Sequence, residues 1–148
     1  AAGTDGMVAG QVADLEAEGR RVGADMLDYI HLHKTAALIR ASITVGARLS
    51  GAGGEALRAL AVAGQALGLA FQIVDDMLDV TATSAQLGKT AGKDQAQQKA
   101  TYPAIHGLPA SRARAEALTG EALDALAPLG LPAEPLRALA RFILERKA

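Results

Sequence analysis

Three aspartates at helical spacing are the residues of this sequence that point most directly to chemistry. Asp75 and Asp79 are four positions apart, and Asp76 follows Asp75 directly. Positions i and i+4 of a helix lie on one face, and two carboxylates about 6 Å apart repel by about 3 kcal/mol at an effective dielectric constant of about 20. A bound cation relieves this repulsion, and ligands made only of oxygen favour a hard ion such as Mg²⁺. The spacing therefore predicts a metal site formed by Asp75, Asp76 and Asp79.

The helix that must carry these aspartates is predicted from Glu55 to Val80 and is apolar on most of its surface. Its core stripe follows steps of three and four: Leu57, Leu60, Gly64, Leu67, Phe71, Val74 and Leu78. Because a helix apolar on nearly all sides is buried, we expect Gln72 and the aspartates to face an internal cavity. The alternative is an acidic, solvated helix end. An EF-hand is excluded, since its glycine and its distal glutamate are missing at their spacings.

A second group of polar residues lies on the predicted helix from Asp25 to Leu49. Its inner stripe is predicted to contain Leu27, Ile30, Lys34, Leu38, Ala41, Val45 and Leu49. Lys34 interrupts this apolar stripe and is followed by Thr35, which suggests that the lysine binds an anion. The alternative is a lysine whose stem is buried and whose charge reaches solvent. If the anion is a ligand, Lys34→Met should leave the free chain no less stable. We expect His31 and His33 to pack or to form hydrogen bonds.

A cationic loop is predicted after the aspartates, between Thr81 and Asp94, with the sequence Leu87-Gly88-Lys89-Thr90-Ala91-Gly92-Lys93-Asp94. Lys89 and Lys93 lie beside glycines, so both could reach a phosphate held at the aspartates. A P-loop is excluded because Thr83 stands where its first glycine belongs and no strand is predicted before it. An ordinary solvated loop is the alternative.

The remaining pattern predicts an all-α chain without a domain boundary, since helical periodicity recurs and strand alternation does not. A first helix is expected from about Thr4 to Glu18, and the glycine-rich segment from Ser50 to Gly54 connects the second and third helices. Further helices are predicted in three places: a short one around Gln95 to Ala100, then Ala110 to Ala127 and Ala133 to Lys147.

Composition excludes several classes of function. The 148 residues carry a net charge of −1, which argues against a nucleic-acid surface. The absence of cysteine excludes disulfides and thiolate zinc and fits a reducing cytoplasm. The longest uncharged run, from Ala59 to Val74, has 16 residues. A membrane span needs about 20, so we expect a buried helix and no membrane span.

These motifs together resemble the trans-isoprenyl (polyprenyl) diphosphate synthase family, particularly bacterial farnesyl and geranylgeranyl diphosphate synthases. The resemblance runs from about Gly6 to the end of the chain in the family's order and spacing. The segments that carry it are Gly6 to Gln11, Asp14 to Gly19, His33-Lys34-Thr35, Phe71 to Val80, Leu87-Gly88-Lys89, Gly92-Lys93-Asp94 and Thr101-Tyr102-Pro103.

The resemblance implies an isoprenoid-synthase helical bundle that joins an allylic diphosphate to isopentenyl diphosphate. In this family Mg²⁺ ions connect two aspartate-rich motifs to the allylic diphosphate and stabilise it as it departs. By resemblance, Asp75 ligates one Mg²⁺ directly, while Asp76 and Asp79 hold its waters.

The resemblance also assigns the substrate contacts. Lys34 and Lys89 would bind the allylic diphosphate. Thr35 and Gln72 would line the allylic cation and stabilise its charge through oxygen dipoles. Two departures from the family pattern are Ala36, where relatives often have glycine, and the segment from Thr81 to Ser84, which lacks a glycine–acid pair.

Only the second aspartate-rich motif occurs in this sequence, because no DDxxD or DDxxxxD pattern precedes Gly6. Residues 1–148 are therefore predicted to be the carboxyl-terminal portion of one synthase domain, inactive alone and associating as a homodimer or larger oligomer. The alternatives are a non-catalytic small subunit of a heteromeric prenyl synthase and a plain helical bundle with an incidental acidic patch.

Overall fold

One long helix, Gly54–Thr81, passes through the centre of the computed structural model, which describes residues 1–81 and 100–146. Within these ranges the chain is helical and contains no strand. The α-helices are α1 (Met7–Ala17), α2 (Ala24–His31), α3 (Ala37–Leu49), α4 (Gly54–Thr81), α5 (Tyr102–His106), α6 (Leu108–Leu126) and α7 (Glu134–Glu145). A π-helical turn (Leu32–Ala36) joins α2 to α3, and 3₁₀ turns (Ala127–Leu129 and Leu131–Ala133) join α6 to α7.

The core forms around α4, which packs mainly against α3 and α6. Its largest fully buried side chains include Leu67 and Ile73 from α4 and Leu118 and Leu126 from α6. The predicted stripe on α4 is confirmed at four positions, because Leu60, Gly64, Leu67 and Val74 are buried. The all-α class predicted from periodicity is therefore confirmed.

Helix α4 is long and apolar enough to cross a membrane, with a mean hydropathy of 1.5 over its most apolar 18-residue window. Half of that window is buried inside the bundle. The central helix of a helical bundle has the same length and composition, so these properties are weak evidence for a span.

The π turn between α2 and α3 was not predicted, and it corrects the stripe expected on the second helix. Its defining bond runs from the N–H of Ala37 to the carbonyl of Leu32, five residues back. The extra residue rotates everything after the turn by about 100°. Leu38 and Val45 are consequently 37% and 55% exposed instead of buried.

The residues of α3 that do face α4 begin at Ala36, which is fully buried, and continue with Ile43 and Ala47. A second stripe therefore replaces the predicted one after Lys34. Leu49, the last residue of α3, is 84% exposed.

Two glycines allow neighbouring helices to approach the π turn closely. A Cβ atom on Gly10 of α1 would lie 2.1 Å from the backbone nitrogen of Lys34. A Cβ atom on Gly68 of α4 would lie 2.4 Å from Cα of Ala36. Real side chains do not tolerate such contacts, so glycine at both positions places the turn against α1 and α4.

Other boundaries differ slightly from the prediction. Helix α6 begins at Leu108 rather than Ala110, and α5 was read from the sequence only as a break around Tyr102-Pro103. The Thr101 side chain accepts a hydrogen bond from the Ala104 N–H at 3.4 Å and caps α5. The short helix predicted around Gln95 lies outside the described residues, apart from Ala100, which is not helical.

Candidate active site

Four of the predicted site residues, Lys34, Thr35, Gln72 and Asp76, meet where α4 crosses the π turn. A small cavity of about 20 Å³ lies between these elements and α1. Its walls include five of the polar residues discussed above together with Asp14 of α1: Asp14, His31, Lys34, Thr35, Gln72 and Asp76. The structure therefore brings the Lys34–Thr35 pair next to the acidic segment of α4.

Asp76 is the most enclosed of the three aspartates, with 6% of its surface exposed. Its Oδ2 atom accepts a hydrogen bond from the backbone N–H of Tyr102 at 2.8 Å and lies 3.3 Å from Nε2 of His31. Its Oδ1 atom accepts a longer bond, 3.4 Å, from the side-chain amide of Gln72. Asp76 thus faces the protein interior, where backbone and side-chain donors surround it.

Gln72 connects Asp76 to the π turn. The Thr35 hydroxyl donates to Oε1 of Gln72 at 2.8 Å, while the Gln72 amide nitrogen donates to Asp76. Both side chains are half-buried. This direct contact was not predicted from the sequence, although the resemblance assigns both residues to the same part of the site.

Lys34 forms an ion pair with Asp14, at 2.5 Å between Nζ and Oδ2. The lysine side chain is 29% exposed and the aspartate side chain 8% exposed. The anion that Lys34 binds within the described residues is therefore a carboxylate of α1. This contact reverses our expectation for Lys34→Met, because the substitution would remove a charged partner from a buried carboxylate.

Asp75 is exposed and binds Arg146, the residue that follows α7. The Arg146 Nη2 atom lies 2.6 Å from Oδ1 of Asp75 and donates to the carbonyl of Phe71 at 3.1 Å. The guanidinium also stacks over the Phe71 ring, 4.2 Å from its centroid. The sequence analysis did not identify Arg146, because 71 residues separate it from Asp75 and no local pattern relates the two.

Asp79 lies one turn after Asp75 on the same face of α4. Among the residues that the structure describes, its Oδ2 atom is buried and has no hydrogen-bond partner. Lys89, predicted to bind diphosphate, lies outside the described residues together with the rest of its loop.

A cation would fit the face that Asp75 and Asp79 share. One carboxylate is already balanced by a guanidinium, and the other has a buried oxygen without a donor in the described ranges. Mg²⁺ suits this all-oxygen donor set. The same ranges hold no cluster of three or more His, Cys, Asp or Glu residues arranged to enclose a metal, so these two carboxylates supply only part of a coordination sphere.

The bundle around α4, with its acidic carboxyl-terminal half against the π turn, is the isoprenoid-synthase fold. The polyprenyl synthetase family model matches residues 2–125, and the chain belongs to that family.

Curated relatives include the heterodimeric geranylgeranyl pyrophosphate synthase large subunit 1, chloroplastic, of Arabidopsis thaliana, which is 49% identical over 99% of this chain and 41% of its own length. The farnesyl diphosphate synthase of Escherichia coli K12 is 46% identical over 99% of this chain and 50% of its own length. The chain thus spans half or less of the length of these relatives.

Solved structures agree with this assignment. A polyprenyl synthase from Caulobacter crescentus CB15, complexed with calcium and isoprenyl diphosphate, matches with a TM-score of 0.86 and 28% identity over 96% of this chain and 56% of that chain. A geranylgeranyl pyrophosphate synthetase from Pyrococcus horikoshii matches with a TM-score of 0.85 and 28% identity over 95% of this chain and 55% of that chain. The predicted family and fold are therefore confirmed.

Proposed function

We propose that this chain is the carboxyl-terminal portion of a prenyltransferase that condenses an allylic diphosphate with isopentenyl diphosphate. The observation that carries the proposal is the face of α4 that Asp75 and Asp79 share in this family fold. The Asp75 carboxylate binds the Arg146 guanidinium, and within the described residues Asp79 has a buried oxygen without a hydrogen-bond partner. Family membership and the activities named for the relatives support the reaction class.

In this proposal Asp75 and Asp79 hold Mg²⁺ and its waters beside the allylic diphosphate. Bound Mg²⁺ would neutralise the negative charge that grows on the departing diphosphate. Lys34, whose side chain is partly exposed beside the cavity, would add a positive charge for the same group. Lys89 is proposed to do so from the following loop.

Thr35 and Gln72 lie on the inner side of this diphosphate position. Their side-chain oxygens are 2.8 Å apart and half-buried. Fixed oxygen dipoles stabilise a developing positive charge better than mobile water because they need no reorganisation. We assign both residues to stabilisation of the allylic cation until the isopentenyl double bond attacks it.

A binding experiment tests the metal site directly. Mg²⁺ together with inorganic diphosphate or a bisphosphonate should raise the melting temperature of the chain, because a ligand specific to the folded state stabilises it. Asp75→Asn should reduce this increase more than Asp76→Asn, since Asp76 faces the interior. Equal increases in the wild type and in Asp75→Asn would refute the proposed site.

A second experiment tests the reaction. The purified chain should form no detectable prenyl diphosphate from radiolabelled isopentenyl diphosphate and an allylic diphosphate. Co-expression with an amino-terminal half that supplies a first aspartate-rich motif should restore the reaction, since that half would complete the metal coordination and position the second substrate. Robust condensation by the chain alone would refute the need for two clusters.

The alternative, a non-catalytic small subunit, gains no support from the relatives, which include a large subunit and a farnesyl diphosphate synthase. Self-association remains a prediction. It is supported by exposed apolar residues on one helix, since Val8, Val12 and Leu15 of α1 are 43%, 47% and 56% exposed.

A cytoplasmic location also remains a prediction, because the relatives include chloroplastic enzymes.

A further inference from the structure

The interior contacts of Asp76 differ from those expected of a metal ligand. Its two oxygens accept from the Tyr102 N–H and the Gln72 amide, and Oδ2 also lies within reach of the His31 imidazole. An ionised carboxylate accepts hydrogen bonds and donates none. Asp76 is therefore a fixed, buried acceptor between α2, α4 and the start of α5.

The acceptor character of Asp76 determines the orientation of Gln72. A side-chain amide has one donating end and one accepting end. Because the carboxylate can only accept, the Gln72 nitrogen must face Asp76 and its oxygen must face Thr35. The hydrogen bonds observed at both ends have this direction.

The orientation of Gln72 in turn determines that of Thr35. A hydroxyl has one proton and two lone pairs. The Thr35 hydroxyl donates its proton to Oε1 of Gln72 at 2.8 Å, so the lone pairs of Oγ1 point away from Gln72. Both Oε1 of Gln72 and Oγ1 of Thr35 thereby present negative charge density at the same place beside α4.

We infer that Asp76 is a positioning residue that orients the Gln72 and Thr35 oxygens toward the cation of the allylic substrate. This inference rests on the proposed function and replaces, for Asp76, the water-mediated metal contact that the family resemblance implies. Asp75 and Asp79 bind the metal, while Asp76 sets the polarity of the surface that the cation contacts.

Asp76→Asn tests the inference with little change in shape. The asparagine oxygen can still accept from Tyr102 and His31, and its amide nitrogen then takes the place of Oδ1 opposite Gln72. Gln72 must turn its oxygen toward the new donor. Its nitrogen then donates to Thr35, whose proton is directed into the site.

The probes are two diphosphates of the same shape: an allylic ammonium analogue, whose positive nitrogen replaces the reacting carbon, and its neutral carbon counterpart. Both are titrated into the full chain with Mg²⁺. The preference of the wild type for the ammonium analogue should fall by about tenfold in Asp76→Asn, as expected for the loss of roughly 1.4 kcal/mol of favourable dipole contacts. The matched control Asp75→Asn should weaken both analogues alike.

A double variant provides a rescue. In Asp76→Asn with Gln72→Glu, the asparagine nitrogen donates to the glutamate and the glutamate accepts from Thr35. The Thr35 hydroxyl again donates to residue 72, as it does in the wild type, so preference for the ammonium analogue should return as well. Slow hydrogen exchange at the Tyr102 amide in each variant would show that the contact made by residue 76 is retained.

The outcomes separate the inference from the proposed function. If Asp76→Asn weakens both analogues as Asp75→Asn does, Asp76 acts through the metal and the inference is overturned. If neither analogue binds the wild type, the proposed function fails, and NMR signals of the Gln72 side-chain amide then decide the inference. A Gln72 amide that keeps its orientation in Asp76→Asn overturns it, and a reversed amide supports it.

Discussion

Gly68→Ala tests whether the close approach of α4 to the π turn determines the geometry of the site. The new Cβ would lie 2.4 Å from Cα and 2.7 Å from Cβ of Ala36, whereas ordinary contacts begin at 3.4 Å. The backbones must therefore separate by about 1.0 Å (3.4 Å minus 2.4 Å). Ala36 is fully buried and has no longer side chain that could move aside.

The expected cost of this crowding is about 1–3 kcal/mol, partly offset by about 1 kcal/mol from the higher helix propensity of alanine. Gly120→Ala is the matched control, because Gly120 lies inside α6 with no atom within 4 Å of a new Cβ. The control should gain about 1 kcal/mol, so the two melting temperatures should differ by roughly 2–12 °C.

Thermal unfolding followed by circular dichroism measures this difference. The Mg²⁺ and diphosphate response should also weaken in Gly68→Ala and remain in Gly120→Ala, because displacement of Ala36 would also displace Lys34, which lies in the same π turn and is proposed to bind the diphosphate. Equal stabilisation by both alanines would refute the argument that backbone contact at Gly68 positions the turn.

Three further substitutions or conditions give separate tests. Lys34→Met should lower the free energy of unfolding by about 1–3 kcal/mol in chemical denaturation, because a buried carboxylate on α1 loses a charged partner; an unchanged value would contradict the ion pair. Arg146→Met should raise Mg²⁺ affinity in the presence of diphosphate by roughly two- to fivefold by calorimetry, because Asp75 no longer exchanges a guanidinium for the metal; weaker binding would contradict this competition. The hydrogen bond from Arg137 lowers the pKa of Glu134, so the stabilisation from this exposed pair should be present above the unfolded-state pKa and be lost as pH falls through the folded-state pKa. A comparison of pH-dependent melting with Glu134→Gln measures this effect, and parallel curves for the two proteins would contradict it.

The aspartate spacing and the periodicity of α4 predicted much of the fold and part of the site. Steps of three and four identified the central helix to within one residue at each end, and the chemistry of the DDxxD segment identified its acidic face. The resemblance assigned Thr35 and Gln72 to the same part of the site, and a hydrogen bond joins them in the structure. These successes depend on patterns local in sequence.

The contacts that the sequence did not predict join distant segments or depend on backbone geometry. Arg146 reaches Asp75 from 71 residues away, and no periodic pattern indicates such a pair. The burial of Asp76 opposite the more exposed Asp75 depends on the rotation of α4 against α2 and α5, because adjacent helical positions differ by about 100°. The π turn was missed because one additional residue in a helical segment leaves the surrounding composition unchanged.

The π turn also determines how the chain would respond to a change in length. Removal of one residue between Leu32 and Ala36 would allow a continuous α-helix from Ala24 to Leu49. The π-helical hydrogen bonds between residues five apart would be replaced by α-helical bonds between residues four apart. Such a deletion makes the backbone a regular α-helix but rotates α2 by about 100° relative to α3. Lys34 would then be out of phase with Asp14 and Gln72, so the helical content would survive while the alignment of the polar residues would not.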